Sequence, residues 1–163
     1  MACLLCSITA EAARTDEHYL FIAETQHWTI VLPPNQCLLG RCVVRLRRHT
    51  ESIAELTDAE MLEFRNVAAD LEQAERAAFG ATMFNWSCLM NLAYRANPPD
   101  PHVHWWLVPR YDHPVEFADA RFEDPEFGSP YDPARWWQAP KPVHQAMAEV
   151  LRRHLSISVS ESA

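Results

Sequence analysis

Two short patterns in the sequence could carry chemistry. His102 and His104 are separated by one residue in an apolar run, and Cys3 and Cys6 are separated by two residues near the amino terminus. Alternate residues of a strand point to the same face, so both imidazoles and the Trp106 indole should project from one face. Such a histidine pair can ligate a metal, act as a nucleophile or lie hydrogen-bonded in the core. The cysteine pair has the knuckle spacing of a partial zinc site.

A sheet and two helices are predicted to position these residues. Apolar, β-branched and aromatic residues predict five strands, the last of them ended by Pro109, at 19–23, 28–32, 38–46, 82–90 and 102–108. Thr57 lies three residues before Glu60, a capping box that opens a helix over 57–79 before Gly80. A second helix is expected over 142–155. The segment 110–142, rich in proline, aromatic and acidic residues, is expected to be an ordered loop.

The composition limits the class of protein. The chain has 163 residues, of which 48% are hydrophobic, and this predicts a single domain over 1–155 with a disordered tail over 156–163. The formal net charge of −8 argues against binding nucleic acid, which needs a basic face. The first residues contain no basic leader, and no apolar run has the length of a membrane span. We therefore expect a cytoplasmic protein whose five cysteines are reduced or bound to metal.

The combined patterns resemble the histidine triad superfamily. The resemblance rests on His102-x-His104-x-Trp106 followed by Val-Pro-Arg-Tyr, on the basic corner that ends in His49, on the capped helix, and on Leu-Met-Asn ending at Asn91. It implies an α+β fold, with an antiparallel sheet of about five strands, a packed helix and a carboxy-terminal loop and helix. It also implies a homodimer, a nucleotide or dinucleotide substrate, and attack by the middle histidine, His104, on the α-phosphate to form a covalent nucleotidyl-histidine.

The cysteine pair is similar to that of the zinc-bearing branches of this superfamily, including galactose-1-phosphate uridylyltransferase. In those branches the CxxC pair, the histidine of the basic corner and the first histidine of the signature hold the metal. The resemblance therefore implies a Zn²⁺ site made by Cys3, Cys6, His49 and His102. Four protein ligands fill a tetrahedral ion, so the zinc is expected to be structural.

The chain departs from the family pattern at Trp106, where triad proteins have a third histidine. An indole donates one hydrogen bond but does not titrate, so it can contact a phosphate without shuttling a proton. We predict nucleotide contacts from Asn91, Trp106 and Arg110, the asparagine from its place in the family pattern. Arg41 is an alternative phosphate contact, and Asn35 or Gln36 could meet the ribose.

Three functions remain open from the sequence. The first is a nucleotide hydrolase or nucleotidyl transferase that acts at the α-phosphate through His104. The second is a nucleotide-binding module that has lost turnover because of Trp106. The third is a zinc-binding protein without turnover. Formation of an acid-labile adduct on His104 distinguishes the first from the other two.

Overall fold

A five-stranded antiparallel sheet forms the centre of the molecule, as the sequence predicts. The computed structural model describes residues 3–8 and 18–157. The strands are β1 (Leu20–Glu24), β2 (Trp28–Leu32), β3 (Cys42–Leu46), β4 (Met83–Ser87) and β5 (His104–Arg110). Their order in the sheet is β1-β2-β3-β5-β4. The order places β3 and β5 side by side in the interior and β4 at an edge.

The prediction that Pro109 ends the last strand is wrong, because β5 continues to Arg110. Proline cannot donate a main-chain hydrogen bond, so it is tolerated where its nitrogen needs no partner. The main-chain N–H of Thr82 donates to the carbonyl of Arg110, so the main-chain polar groups of Arg110 face β4 and those of Pro109 face the opposite side, where β3 lies. The pairing between β5 and β3 has already ended at Leu107, so the missing N–H of Pro109 removes no hydrogen bond of the sheet.

The long helix α2, Asp58–Phe79, packs against the sheet and confirms the capping box. The Thr57 hydroxyl accepts the N–H of Glu60, and the Glu60 carboxylate accepts the N–H of Thr57. Glu60 also receives Arg48 Nε at 2.5 Å, so the helix start is tied to the basic corner. Gly80, with φ of 74°, ends the helix in the left-handed conformation that glycine favours.

The carboxy-terminal third begins with a loop and ends in a helix. The loop contains a small hairpin, β6 (Val115–Phe117) and β7 (Ala120–Phe122), and the helix α3 is Lys141–His154, which contacts α2 and β1. The predicted tail lies mostly outside the described residues. Its first two residues, 156 and 157, donate their main-chain N–H groups to the carboxylate of Asp70.

The two faces of the sheet are covered differently. The helical face holds the main core, to which β5 contributes Trp105 and Leu107, and Val103 just before the strand also belongs to it. The opposite face holds a smaller cluster in which Trp106 packs with Val43 and with Ile8 from the amino-terminal segment. That segment contains a one-turn helix α1, Leu4–Ser7. No helix within 3–8 or 18–157 is long and apolar enough to cross a membrane.

Candidate functional site

His104 opens β5 with a fixed ring orientation. Its Nδ1 lies 2.8 Å from the main-chain carbonyl oxygen of His102. A carbonyl can only accept, so Nδ1 carries the proton and the lone pair is on Nε2. Partial burial lowers the pKa of His104, and the bond to the carbonyl opposes this shift. The His104 imidazole is therefore neutral, and its Nε2 takes no part in the bond to the His102 carbonyl. This is the form that a nitrogen nucleophile needs.

The residues beside His104 form a basic and aromatic face. Trp106 lies two residues on, with ring centroids 6.2 Å apart, as the strand alternation predicts. On β3, Arg45 is paired with His104 and Val43 with Trp106. The guanidinium carbon of Arg41, which precedes β3, lies 4.2 Å from the centroid of the Trp106 ring. Two guanidinium groups thus approach the same strand face as His104.

The four residues predicted to bind zinc meet at one point. One donor atom from each of Cys3, Cys6, His49 and His102 lies within 4.8 Å of all the others. The Sγ atoms of Cys3 and Cys6 are 3.4 and 3.3 Å from Nδ1 of His102, and Sγ of Cys6 is 3.4 Å from Nδ1 of His49. Two thiols and two imidazoles are a donor set that suits tetrahedral Zn²⁺.

Main-chain pairing brings the two histidines of this cluster together. The main chain of Val103 donates to the carbonyl of Thr50 and accepts from the N–H of Leu46, so the basic corner between these residues wraps beside His102. The rings of His49 and His102 meet edge to face, with centroids 5.1 Å apart. A short loop and one strand therefore supply both imidazoles without help from the helices.

A second layer of contacts aims both imidazoles at the sulfur atoms. Nε2 of His102 lies 2.7 Å from the carbonyl oxygen of Leu46, so Nε2 carries the proton and Nδ1 offers its lone pair. Nε2 of His49 lies 3.4 Å from a carboxylate oxygen of Asp100. Metal-bound histidines characteristically place their second nitrogen against a carbonyl or carboxylate. The residues present therefore fit a bound metal.

The charges of the cluster also favour a cation. Burial, together with the hydrogen bond and charge of Cys3, raises the pKa of the Cys6 thiol to about 11. Burial lowers the pKa of His102 to about 4, so its ring is neutral at pH 7. A divalent cation would stabilise the Cys6 thiolate, whereas the protonated Cys6 thiol and the neutral His102 ring are favoured without one.

Arg110, a predicted nucleotide contact, is buried among other partners. It is 1% exposed and pairs with Asp124 through Nε and Nη2, at 2.6 and 3.0 Å. Its remaining N–H groups donate to Asn85 Oδ1 and to the carbonyls of Ser129 and Glu126. All five donors have acceptors, so Arg110 anchors the carboxy-terminal loop to the sheet.

The other predicted nucleotide contacts fall at two places. Asn91 begins a 3₁₀ helix, Asn91–Arg95, that follows β4, and its side chain is exposed. The pairing of β4 ends at Ser87 opposite Trp106, so Asn91 lies at the end of the sheet where His104 begins β5. Asn35 and Gln36 are buried, and they bond to main-chain groups of the loops around them. The Asn35 and Gln36 side chains therefore support loops and are not free for a ribose.

A cavity of about 180 Å³ lies apart from His104. It is lined by Cys37 near the start of β3 and by residues of the carboxy-terminal loop, including Arg135 and Trp137. Trp106 and Trp137 both pack against the small buried cluster to which Cys37 belongs. The cavity is smaller than a usual ligand pocket and does not contain the nucleophile candidate.

Sequence reasoning missed two residues of the site. Arg45 is buried and donates from Nε to the carbonyl of Ile8 at 2.7 Å, which ties the amino-terminal segment to the strand beside His104. The strand pattern could have pointed to Arg45, because it lies four residues after Arg41 and residues two or four apart in a strand share a face. Asp100, beside His49, lies in a proline-rich turn that gives no signal of proximity.

Solved structures show which fold this is. A hypothetical histidine triad nucleotide-binding protein from Sulfolobus tokodaii is 18% identical with a TM-score of 0.65, covering 93% of this chain and 91% of that chain. A zinc-bound histidine triad family protein from Mycobacterium smegmatis is 17% identical with a TM-score of 0.59, covering 94% and 95%. A histidine triad protein from Sinorhizobium meliloti is 15% identical with a TM-score of 0.67, covering 87% and 93%.

Two comparisons of the sequence with known proteins give no such link. No protein-family model matches it, and no curated protein matches it significantly. Identities below 25% establish a shared fold and leave the roles of individual residues open. The five-stranded antiparallel sheet, its helices and these similarities together show that the protein has the histidine triad fold.

Proposed function

We propose that the protein is a nucleotide-binding hydrolase or nucleotidyl transferase that acts at the α-phosphate through His104. The observation that carries the proposal is the bond from His104 Nδ1 to the His102 carbonyl at 2.8 Å, which leaves the Nε2 lone pair for attack. The histidine triad nucleotide-binding protein among the similar structures supports a nucleotide as the ligand. Asn91 and Trp106 are proposed as further nucleotide contacts.

The proposed reaction has two steps. The Nε2 lone pair of His104 attacks the α-phosphorus, and the bond from phosphorus to the leaving group breaks with its electron pair going to that group. Water or another acceptor then attacks the same phosphorus, the P–N bond breaks, and the imidazole is restored. The hydrogen bond to the His102 carbonyl holds the ring throughout and stabilises the positive charge that forms on it.

We also propose that Cys3, Cys6, His49 and His102 hold a structural Zn²⁺. Their donor atoms meet within 4.8 Å, and a zinc-bound protein of this fold exists. A bound zinc would supply cross-linking of three chain segments and no open coordination position. Because the ring of His102 joins the cluster while its carbonyl holds His104, the metal site would also steady the nucleophile. The same ligand pattern supports similarity to the uridylyltransferase branch, which makes nucleotide sugars a substrate class to test.

Substitution of the two histidines tests both proposals. His102→Ala should lower the zinc content and the melting temperature, because metal bound to the folded state is folding free energy. His104→Ala should keep the zinc and abolish any covalent adduct with dinucleoside polyphosphates, nucleoside phosphoramidates or nucleotide sugars. Equal loss of zinc in both variants would make His104 a ligand and contradict the mechanism. Full turnover by His104→Ala would place the nucleophile elsewhere.

A second candidate function is nucleotide binding without turnover, and Trp106 favours it. The indole stands where a third histidine would assist the leaving group, and it cannot transfer a proton. Nucleotide affinity in calorimetry without an acid-labile adduct would establish this function. Zinc binding with neither nucleotide affinity nor adduct would establish the third function, that of a zinc-binding protein without turnover.

We further propose a homodimer formed through the β4 edge. Within the described part of the chain β4 has a partner strand on one side only, and large apolar side chains beyond it are exposed: Leu89 by 53%, Leu92 by 74% and Tyr94 by 64%. An unpaired edge with adjacent apolar surface characteristically marks an interface. Sedimentation of the parent and of Leu92→Glu tests it. We expect the parent to be a dimer and the variant a monomer, and a monomeric parent would contradict the proposal.

A further inference from the structure

Arg41 is a half-buried cation with an incomplete set of partners among the described residues. Its guanidinium lies over the Trp106 indole at 4.2 Å, and its Nε is buried with no hydrogen-bond partner. Among the ion pairs of residues 3–8 and 18–157, none involves Arg41. Cation–π attraction holds the flat guanidinium against the ring and leaves its N–H edge available. The buried Nε is closed to a ligand, so a ligand or a water would meet the terminal N–H groups at the accessible edge of this half-buried side chain.

The second guanidinium on this face is already committed. Arg45 donates from Nε to the carbonyl of Ile8 and from Nη1 to that of Leu46, and it is only 3% exposed. The backbone of Arg41 is fixed too, since its carbonyl accepts Gln36 Nε2 at 2.9 Å. Arg41 is thus a positioned cation beside the nucleophile strand with N–H capacity to spare.

The chemistry of Trp106 limits which leaving group can depart there. An amine leaving group must gain a proton, and neither the indole nor an arginine can supply one at neutral pH. A phosphate leaves as an anion and needs only a stabilising positive charge, which a guanidinium provides through charge-assisted hydrogen bonds. Trp106 in place of a third histidine, with Arg41 beside it, therefore favours a phosphate over an amine as the leaving group.

We propose that Arg41, stacked on Trp106, forms a phosphate subsite for the leaving group, so that the substrates are nucleotides linked through a pyrophosphate bond. The inference rests on the proposed function of His104. In the reaction, His104 Nε2 bonds to the α-phosphorus, the bridging P–O bond breaks, and its electron pair remains on the departing phosphate. Arg41 donates N–H groups to that phosphate and transfers no proton.

Two probes with the same adenylyl group test the subsite. Diadenosine tetraphosphate has a phosphate leaving group, and adenosine 5′-phosphoramidate has an amine. The rate of adduct formation on His104 is measured for each probe with the parent, Arg41→Gln and Arg41→Lys. We expect Arg41→Gln to slow the reaction of the tetraphosphate on the order of 10- to 100-fold, typical for loss of one charged hydrogen bond, and to slow the phosphoramidate reaction by clearly less. Arg41→Lys should be intermediate, because it keeps the charge without the planar fork.

Arg76→Gln is the matched control, since the Arg76 guanidinium stacks on Phe84 at 4.6 Å on another part of the surface. It should not change either rate, and thermal unfolding of each variant confirms that the fold is intact. No effect of Arg41→Gln, an equal effect on both probes, or a faster reaction of the parent with the phosphoramidate would overturn the inference.

Calorimetric titration with inorganic pyrophosphate separates this inference from the proposed function. If the parent forms no adduct with either probe, the proposed function fails. The phosphate subsite then survives only if pyrophosphate binds the parent and binds Arg41→Gln on the order of 10-fold more weakly. Equal binding, or none to the parent, would overturn the subsite as well.

Discussion

Replacing Asp124 by asparagine should destabilise the protein severely, because it removes the partner of a buried cation. The side chains of Arg110 and Asp124 are 1% and 0% exposed and form two hydrogen bonds, at 2.6 and 3.0 Å. Asparagine has nearly the same volume but no charge, and its amide N–H₂ would face a guanidinium that only donates. The variant therefore isolates the charge from the packing.

The expected loss is about 3–5 kcal/mol, the usual consequence of leaving one buried charge unpaired. For a chain of this size, 1 kcal/mol shifts the melting temperature by roughly 2–4 °C, so a fall of about 6–20 °C should be seen. Arg110→Met combined with Asp124→Leu should cost less than Asp124→Asn alone, since no charge then remains buried.

Thermal and urea unfolding followed by circular dichroism provide the measurement. Glu123→Gln is the control, because its pair with Arg121 is exposed and should contribute nothing measurable. A change of less than about 1 kcal/mol for Asp124→Asn, on the scale of a surface substitution, would contradict the anchoring role. Arg110 would then again be a candidate for contacting phosphate.

Three further predictions concern the core and the helix start. Burial raises the pKa of Glu75, so above pH 4.5 this carboxyl ionises in the unfolded chain and stays protonated in the folded one. In urea unfolding, the free energy of unfolding of Glu75→Gln should therefore gain about 1.4 kcal/mol over the parent for each pH unit above this value. No gain with pH would contradict the burial. Gly40→Ala should lose at least about 2 kcal/mol, because φ is +80° and the new Cβ would clash with the buried Glu75 carboxylate. An unchanged urea midpoint would refute this contact. Thr57→Ala should lose about 1 kcal/mol by removing the helix cap, whereas Thr57→Ser should not, and equal stability in both would show that the cap contributes little.

The sequence predicts the elements well because their signals are local. Apolar alternation gives all five strands of the sheet, and Thr57 with Glu60 marks the start of α2. The end of β5 was misjudged because the tolerance of Pro109 depends on where its neighbour β3 stops, and this is a property of the assembled sheet. Domain extent and the state of the final residues remain predictions.

The candidate site was predicted unevenly for a similar reason. The four cluster residues were found through a known pattern, and the fold brings them within 4.8 Å. Arg110 is the last residue of the nucleophile strand, but its partner Asp124 lies fourteen residues later in a loop without a readable pattern. The stacking of Arg41 on Trp106 likewise depends on the register of β3 against β5. Contacts of this kind need the tertiary structure.

Intact-protein mass measurement after exposure to nucleotide probes tests the central claim most directly. The parent, denatured without acid, should gain the mass of one nucleotidyl group, and the addition should disappear on mild acid treatment. Peptide mapping should place it on His104, and His104→Ala should show no addition. An adduct on another residue, or one that persists in His104→Ala, would contradict the account.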